Sequence, residues 1–397
     1  MRLFHYAKDE EIKAGKTTDI YFVRTKQVLE AKGLDKLRVV AEVTPGEIHR
    51  GWSWGILCGI EEEARLFEGY PVDVYAMPEG SIFYHGDHKG VREPVMIIEG
   101  PYGDFCLLET PLLGLLCQSS GVATRAARIK KLTSEKIVVA FGIRRMHPVL
   151  SPMIDRAAYI GGFDGVSSLM GAETVNVEPS GTMPHALIIV FEDQVKAWKG
   201  FDEVMPREVP RVALVDTYFD EKIESIMAAE ALKDRLYAVR LDTPGSRKGD
   251  FAEIVREVRW ELDVRGYNHV KIFVSGGLNE ETVKVLSDAG ADAFGVGTAV
   301  SNAPTIDFAM DIVAVEGRLS AKRGKLGGKK QVWRCQKCLT DIVQTFDEPQ
   351  PRCPHCGGKT EPMLRLLVKN GKIVAKLPRP REIREYVLEQ IGNLTLE

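Results

Sequence analysis

The sequence has little that would tie it to a membrane, a secretory route or a polyanionic partner. No uninterrupted apolar run approaches the ~20 residues that a membrane helix requires. The segment from Met1 to Lys13 carries charges throughout and lacks the apolar stretch of a signal peptide, so a cytoplasmic location is expected. Charge of either sign is barely in excess: 53 Lys and Arg stand against 56 Asp and Glu, a formal net charge of -3. Nothing global therefore points to nucleic acid or to an acidic membrane as partner. Cysteine is scarce, at 7 of 397 residues, and the odd count with four in two tight pairs excludes a secreted disulfide framework. Solenoid-type repeats and long low-complexity tracts are also missing. What remains is a globular composition, 44% hydrophobic and 27% charged, in a chain long enough for roughly two or three domains.

The middle of the chain has a regular grammar of apolar strands running into polar or glycine-bearing turns and then helix-period segments. Strands are expected at Ile137 to Phe141, around Ile160 to Phe163, and at Thr174 to Val177, Val212 to Val215, Leu236 to Val239, Val270 to Val274 and Ala293 to Val296. Between them, Phe251, Ile254, Val255, Val258 and Leu262 mark a helical stripe. Asn279 is a good N-cap and Gly290 a good stop for Glu280 to Ala289. Near-continuous apolar strands alternating with amphipathic helices imply a parallel sheet buried on both faces. The expected fold class is α/β: an irregular β/α barrel over residues 132–321, preceded by a mixed α+β domain over residues 1–131. Within that first domain, Val72 to Met77, Ser81 to His85 and Pro94 to Glu99 read as strands and Glu109 to Ile129 as a helix.

Active sites of β/α barrels lie at the C-terminal strand ends. Here Arg144, Arg145, Asp164, His185, Asp216, Arg240 and Asp242 all fall at or just after an expected strand, more than loop capping alone explains. Ser275-Gly276-Gly277 and Gly295-Val296-Gly297-Thr298 end the last two strands and expose backbone amides that a phosphate can approach. Asp216, Arg240 and Asp242 suit a sugar phosphate, with carboxylates for ribose hydroxyls or Mg²⁺ and a guanidinium for phosphate oxygens. A two-carboxylate glycosidase is the functional competitor, disfavoured by the phosphate-type loops. Phe141 and Tyr21 read either as core aromatics or as stacking platforms, and His185 either as structural or as catalytic.

The cysteine pairs are Cys335-Gln-Lys-Cys338 and Cys353-Pro-His-Cys356-Gly-Gly, two knuckles whose spacing suits tetrahedral Zn²⁺ with four thiolates and no open position. A structural zinc ribbon is expected within residues 322–362, with His355 a spectator. The basic stretch Lys322-Arg323-Gly-Lys325-Leu-Gly-Gly-Lys329-Lys330 precedes it, as either a solvated linker or a pyrophosphate contact. Residues 363–397 read as a hairpin, signalled by Asn370-Gly371, and a helix packing on the N-terminal domain. Cys58, Cys106 and Cys117 sit in apolar surroundings and are expected in the core.

Taken together, several segments resemble nicotinate phosphoribosyltransferases, the compact archaeal-type enzymes above all. They are Asp19-Ile-Tyr-Phe-Val-Arg-Thr25, Glu109-Thr-Pro-Leu-Leu113, Phe141-Gly-Ile-Arg-Arg145, Gly162-Phe-Asp-Gly165, Gly181-Thr-Met-Pro-His-Ala186, Asp216-Thr-Tyr218, Arg240-Leu-Asp-Thr243, Ser275-Gly-Gly277 and Phe294-Gly-Val-Gly-Thr298. The resemblance runs from about Asp19 to the Gly324 linker. It implies an enzyme of glycosyl transfer that joins nicotinate to phosphoribosyl pyrophosphate with ATP as co-substrate, in NAD biosynthesis. It further implies that Phe141 stacks on one face of the pyridine ring and Tyr21 of a partner subunit on the other, in a homo-oligomer with shared active sites, a dimer or trimer of dimers. Arg144 would contact the base, Asp164 would lie near the ring nitrogen, and Thr182 would hold the carboxylate. Asp216 and Asp242 would bind ribose and Mg²⁺-pyrophosphate, with Arg240 beside the ribosyl phosphate. Ser275, Gly276, Gly277, Gly297 and Thr298 would form the 5′-phosphate loops, and His185 would be the histidine that ATP phosphorylates. Quinolinate and nicotinamide stay open as bases, and from another class, a zinc-ribbon nucleic-acid-binding protein.

Overall fold

The computed structural model describes residues 3–49 and 51–396, which fall into two compact units: Met1–Thr124 with Pro304–Glu397, and Arg125–Ala303. The second unit is built on a six-stranded sheet, in the spatial order Gly165–Val166, Ile137–Ala140, Ala293–Val296, Lys271–Ser275, Leu236–Leu241, Arg211–Leu214. Every neighbouring pair is parallel. Among the described residues the two outermost strands do not pair with each other, so the sheet is a curled half-barrel. Val139, Val212, Ala238, Phe273 and Ala293 meet in its interior with Phe141 packed against them. The helices between strands follow their caps. Asp250 accepts from the amides of Ala252 and Glu253, and Asn279 from that of Thr282. Phe251, Val255, Val258 and Leu262 are buried as one stripe.

Two expected strands are absent. Thr174 to Val177, rich in β-branched residues, closes a helix over Leu169–Val175. Its N-cap Ser168 accepts from the Gly171 amide, and Asn176 stops it in the left-handed region at φ 54°. Ile160 to Phe163 is the end of the helix Ser151–Ile160 and the turn after it; this helix is buried so completely that its apolar run shows no alternation. The strand in that place is only Gly165–Val166, too short for periodicity to reveal.

The first unit holds a seven-stranded antiparallel sheet, in the order Arg318–Leu319, Phe308–Val315, Arg38–Pro45, Met96–Pro101, Asp73–Ala76, Arg365–Lys369, Lys372–Ile373. Phe308–Val315 thus pairs with Arg38–Pro45 instead of extending the parallel sheet. The hairpin at Asn370-Gly371 forms, with Asn370 and Gly371 both at positive φ. The helical stretch Tyr102–Thr133 is long and apolar enough to cross a membrane by length and composition, and 56% of its most apolar window is buried within the protein. It behaves as a core helix: the Ser120 and Thr124 hydroxyls accept from the amides of Cys58 and Ile56. Cys58 and Cys106 are buried and Cys117 partly so.

The basic stretch before the ribbon is anchored by its charges. Lys322 and Lys325 both bond Asp311, at 2.6 and 2.7 Å, and Lys330 bonds Glu42 at 2.6 Å with both side chains buried. Lys329 pairs with Glu99 and lies over the rings of Tyr75 and Phe346. Four lysines therefore hold the segment to the sheet through ion pairs.

One buried group is left without such compensation. Glu63, on the helix Ile60–Phe67, is fully buried, and neither carboxylate oxygen has a hydrogen-bond partner. Burial raises its carboxyl well above the usual value, with Glu62 adding to the effect. A carboxyl with a raised folded value loses stability as pH rises from its unfolded value of roughly 4.3 towards the folded one. Glu63→Met is therefore expected to stabilise the protein, by about 1–3 kcal/mol. Thermal unfolding at pH 5 and pH 8 should show the larger gain at pH 8.

Candidate active site

The C-terminal strand ends of the parallel sheet bring one charged network together. Arg240, in the strand Leu236–Leu241, donates from Nε to Ser275 Oγ at 3.0 Å and from Nη1 to Thr182 Oγ1 at 2.7 Å, and its Nη2 pairs with Asp242 at 3.2 Å. Ser275 Oγ donates to the other oxygen of Asp242 at 2.6 Å. Asp216 Oδ2 accepts from the Asp242 backbone amide at 2.7 Å and from Thr243 Oγ1 at 3.3 Å. His185, at the start of the helix His185–Phe191, has Nδ1 3.0 Å from Thr217 Oγ1. Its Nε2 lies 3.7 Å from Asp216 and 3.8 Å from Asp242. Burial pushes the Asp216 carboxyl up to about 6, against the pull of the Asp242 amide and of His185. Its Oδ1 is buried with no hydrogen-bond partner. A buried carboxylate oxygen without a partner, close to a second acid and a histidine, is a donor set of the kind that hard cations take.

Phe141 closes the inner wall of this rim. Its ring lies 5.7 Å from that of Phe273, and the Arg240 guanidinium sits 5.4 Å from its centroid. Gly295, in the last strand, leaves the space that this ring occupies. A Cβ at Gly295 would lie 2.5 Å from Phe141, and one at Gly142 would lie 2.5 Å from the Gly297 carbonyl. Gly276 and Gly277 both have positive φ, 84° and 71°, and turn the backbone away beside Asp242. Thr298 begins a single short turn, Thr298–Ser301.

Not every expected residue joins this group. Asp164 accepts from the Val138 amide at 2.9 Å and from Lys130 at 2.8 Å, bracing the start of the strand whose far end carries Phe141. Arg144 is exposed in the turn Ile143–Arg145. Tyr21 belongs to the other unit, on the helix Ile20–Lys32, and is 56% exposed. Two participants were not anticipated. Buried Glu224 accepts from the amides of Thr217, Tyr218 and Phe219, fixing the loop that follows Asp216. Lys248 donates to the Gly276 carbonyl. The acid four residues after the N-cap Asp220 was visible in the sequence, but nothing there said that it folds back on its own loop.

Models of the quinolinate phosphoribosyl transferase family match the chain in both parts, the N-terminal domain over residues 19–120 and the C-terminal domain over residues 122–311. A nicotinate phosphoribosyltransferase of Mycobacterium tuberculosis is 31% identical over 343 residues, covering 82% of this chain and 69% of that one. The chain belongs to the nicotinate phosphoribosyltransferase family. Among solved structures, nicotinate-nucleotide pyrophosphorylase from Pyrococcus furiosus is 57% identical, with a TM-score of 0.95 and 99% of both chains covered. Human nicotinic acid phosphoribosyltransferase shares the fold, at TM-score 0.77 and 22% identity over 96% of this chain and 94% of that one. Family membership makes the protein a phosphoribosyl-transferring enzyme.

A second constellation lies in the first unit. Cys335, Cys338, Cys353 and Cys356 bring all four sulfurs within 4.8 Å of one another. The separations of 3.4 to 3.6 Å between Cys356 and Cys335 or Cys338, and between Cys338 and Cys353, far exceed a disulfide bond of ~2.05 Å. They approach the ~3.8 Å edge of a tetrahedron with metal–sulfur bonds of about 2.3 Å. Gly358 keeps the backbone close to the sulfurs, since a Cβ would stand 3.1 Å from that of Cys335 and crowd it. Beside the knuckles, buried Arg334 bonds Asp341 through Nε at 2.8 Å and Nη2 at 2.5 Å and faces Glu93 at 3.5 Å. Cys338→Ser and Cys353→Ser are each expected to abolish metal retention and to lower Tm by several degrees, given roughly 2–4 °C per kcal/mol for a unit of this size. Elemental analysis beside thermal unfolding checks both.

Proposed function

We propose that the protein joins nicotinate to phosphoribosyl pyrophosphate, giving nicotinate mononucleotide and pyrophosphate, with ATP hydrolysis assisting, as a cytoplasmic step of NAD biosynthesis. The observation that carries this reading is the convergence of Arg240, Asp216, Asp242 and Thr182 beside both the Phe141 ring and the Gly276–Gly277 turn. A base on Phe141, a ribose over the acids and a 5′-phosphate at the glycine turns account for each part. The relatives named for nicotinate support the choice of base.

Loss of pyrophosphate leaves positive charge on the anomeric carbon and a highly charged leaving group. The base attacks through its ring nitrogen, which carries no proton, so no general base is required. The chain's task is positioning and charge stabilisation. Phe141 holds the ring plane, and Thr182 with Arg240 engages the base carboxylate and ribosyl phosphate. Asp216 and Asp242 would hold Mg²⁺, which supplies charge neutralisation to the pyrophosphate; the orphaned Asp216 Oδ1 fits that role. With Nδ1 committed to Thr217, His185 offers Nε2 as the acceptor of the ATP γ-phosphoryl group, releasing ADP. The four thiolates suit structural Zn²⁺. Tyr21 would serve a partner subunit's site, in keeping with exposed Ile20 and Val28 on its helix.

A second base, quinolinate, is suggested by the family models' own description. It needs cations for two carboxylates and releases carbon dioxide, and Arg240 already divides itself among three partners.

Mononucleotide formation should be measured with nicotinate, nicotinamide and quinolinate in parallel, each with and without ATP. Product from nicotinate, faster with ATP, is expected, and no product from any base overturns the reading. Asp242→Asn, which keeps the side chain's shape but removes its charge, is expected to lower kcat/KM for phosphoribosyl pyrophosphate by roughly 100-fold or more. His185→Ala is expected to retain slow transfer while losing the response to ATP; undiminished stimulation would remove the phosphohistidine.

A further inference from the structure

Lys248 stands apart from the other lysines of the second unit. It lies in the loop Thr243–Asp250, whose neighbouring positions from Pro244 to Arg247 are exposed, yet its own side chain is half-buried. The stem runs beside an apolar cavity of about 600 Å³ walled by Phe251, Leu278 and Val285. The ammonium sits 4.6 Å from the Phe251 ring centroid and donates to the Gly276 carbonyl. Its nitrogen is 4.0 Å from where a Cβ on Gly277 would be, so it stands over the open face of the Gly276–Gly277 turn. Among the described residues no carboxylate lies in ion-pair contact with it. Asp242 and Asp216 act on it only at longer range, and burial depresses its pKa. An ammonium has three donors and is costly to hold away from water without a counter-charge. Here one donor meets a neutral carbonyl and the others meet nothing charged, an arrangement that an arriving anion would complete.

Resting on the phosphoribosyl reading above, we infer that Lys248 is a substrate-binding residue that grips the 5′-phosphate at the Gly276–Gly277 turn with the donors that the Gly276 carbonyl leaves free. The pyrophosphate end is the competing target, since it belongs beside Asp216 and Asp242. Nicotinate mononucleotide carries the 5′-phosphate and lacks pyrophosphate, so two probes separate the ends.

Calorimetric titration of the full chain with nicotinate mononucleotide and, separately, with Mg²⁺-pyrophosphate tests this, comparing wild type, Lys248→Met and Lys248→Arg. Loss of one charge-assisted contact predicts mononucleotide affinity weaker by roughly 10- to 100-fold in Lys248→Met, partly restored in Lys248→Arg. Pyrophosphate affinity should be unchanged, and KM for phosphoribosyl pyrophosphate should rise while that for nicotinate does not. Weakening of pyrophosphate alone, or no change in either ligand, overturns the assignment. A Lys248→Met chain whose Tm falls and whose two affinities fall together marks Lys248 as structural, which also overturns it. Wild type that binds neither probe and forms no mononucleotide defeats the underlying reading instead.

Discussion

Two carboxylates that should repel are held side by side at the centre of this enzyme. Asp216 and Asp242 end neighbouring parallel strands, and the backbone amide of one donates directly to the side chain of the other. Arg240 and Ser275 restrain the second acid, while His185 faces both. Such a pair stays ionised only where donors and cations compensate the repulsion, and it becomes most favourable when a bound cation adds its charge. The rest of the rim follows from this. Glu224 fixes the loop after Asp216, the Gly276 turn passes close to the Asp242 carboxylate, and the parallel strands bring both acids to the same edge of the sheet.

The first unit solves a different electrostatic problem with the opposite economy. Its ion pairs are matched locally: Lys330 with Glu42, Lys322 and Lys325 with Asp311, Arg334 with Asp341. Apart from exposed Lys322, the charges are buried or partly buried on the antiparallel sheet or beside the cysteine knuckles, where losing a sole partner would strand the other charge. These contacts specify how the segment after Phe308–Val315 returns to the sheet. The strand-end charges of the second unit, by contrast, share partners in one network, with Asp216 Oδ1 left unpartnered.

Much of the site was legible in the sequence because its residues cluster at strand ends, and strand ends are marked by apolar runs stopping at Arg240, Asp216 or Ser275. The alternation of strands and helices was readable for the same reason. It failed where burial was complete or the element was tiny, as in the helix Ser151–Ile160 and the strand Gly165–Val166. The anchoring of the basic stretch from Lys322 was not legible, because charge density shows in a sequence whereas the partners of each charge, here Asp311, Glu42 and Glu99, lie far away in it. The contact of Asp164 with Lys130 was hidden for the same reason. Gly295 was read for its amide, while the structure shows that its missing side chain makes space for Phe141.

The first unit is discontinuous, and that bears on how the protein is made. Arg38–Pro45 pairs with Phe308–Val315, partners that leave the ribosome at opposite ends of synthesis. The second unit, Arg125–Ala303, is one uninterrupted stretch and can complete its half-barrel while the remainder is still being translated. Until Phe308–Val315 emerges, Arg38–Pro45 presents an unpaired apolar edge, a template for the wrong neighbour. The charged return segment then clamps this late pairing from both sides, since Asp311 lies on one of the two strands and Glu42 opposite it on the other.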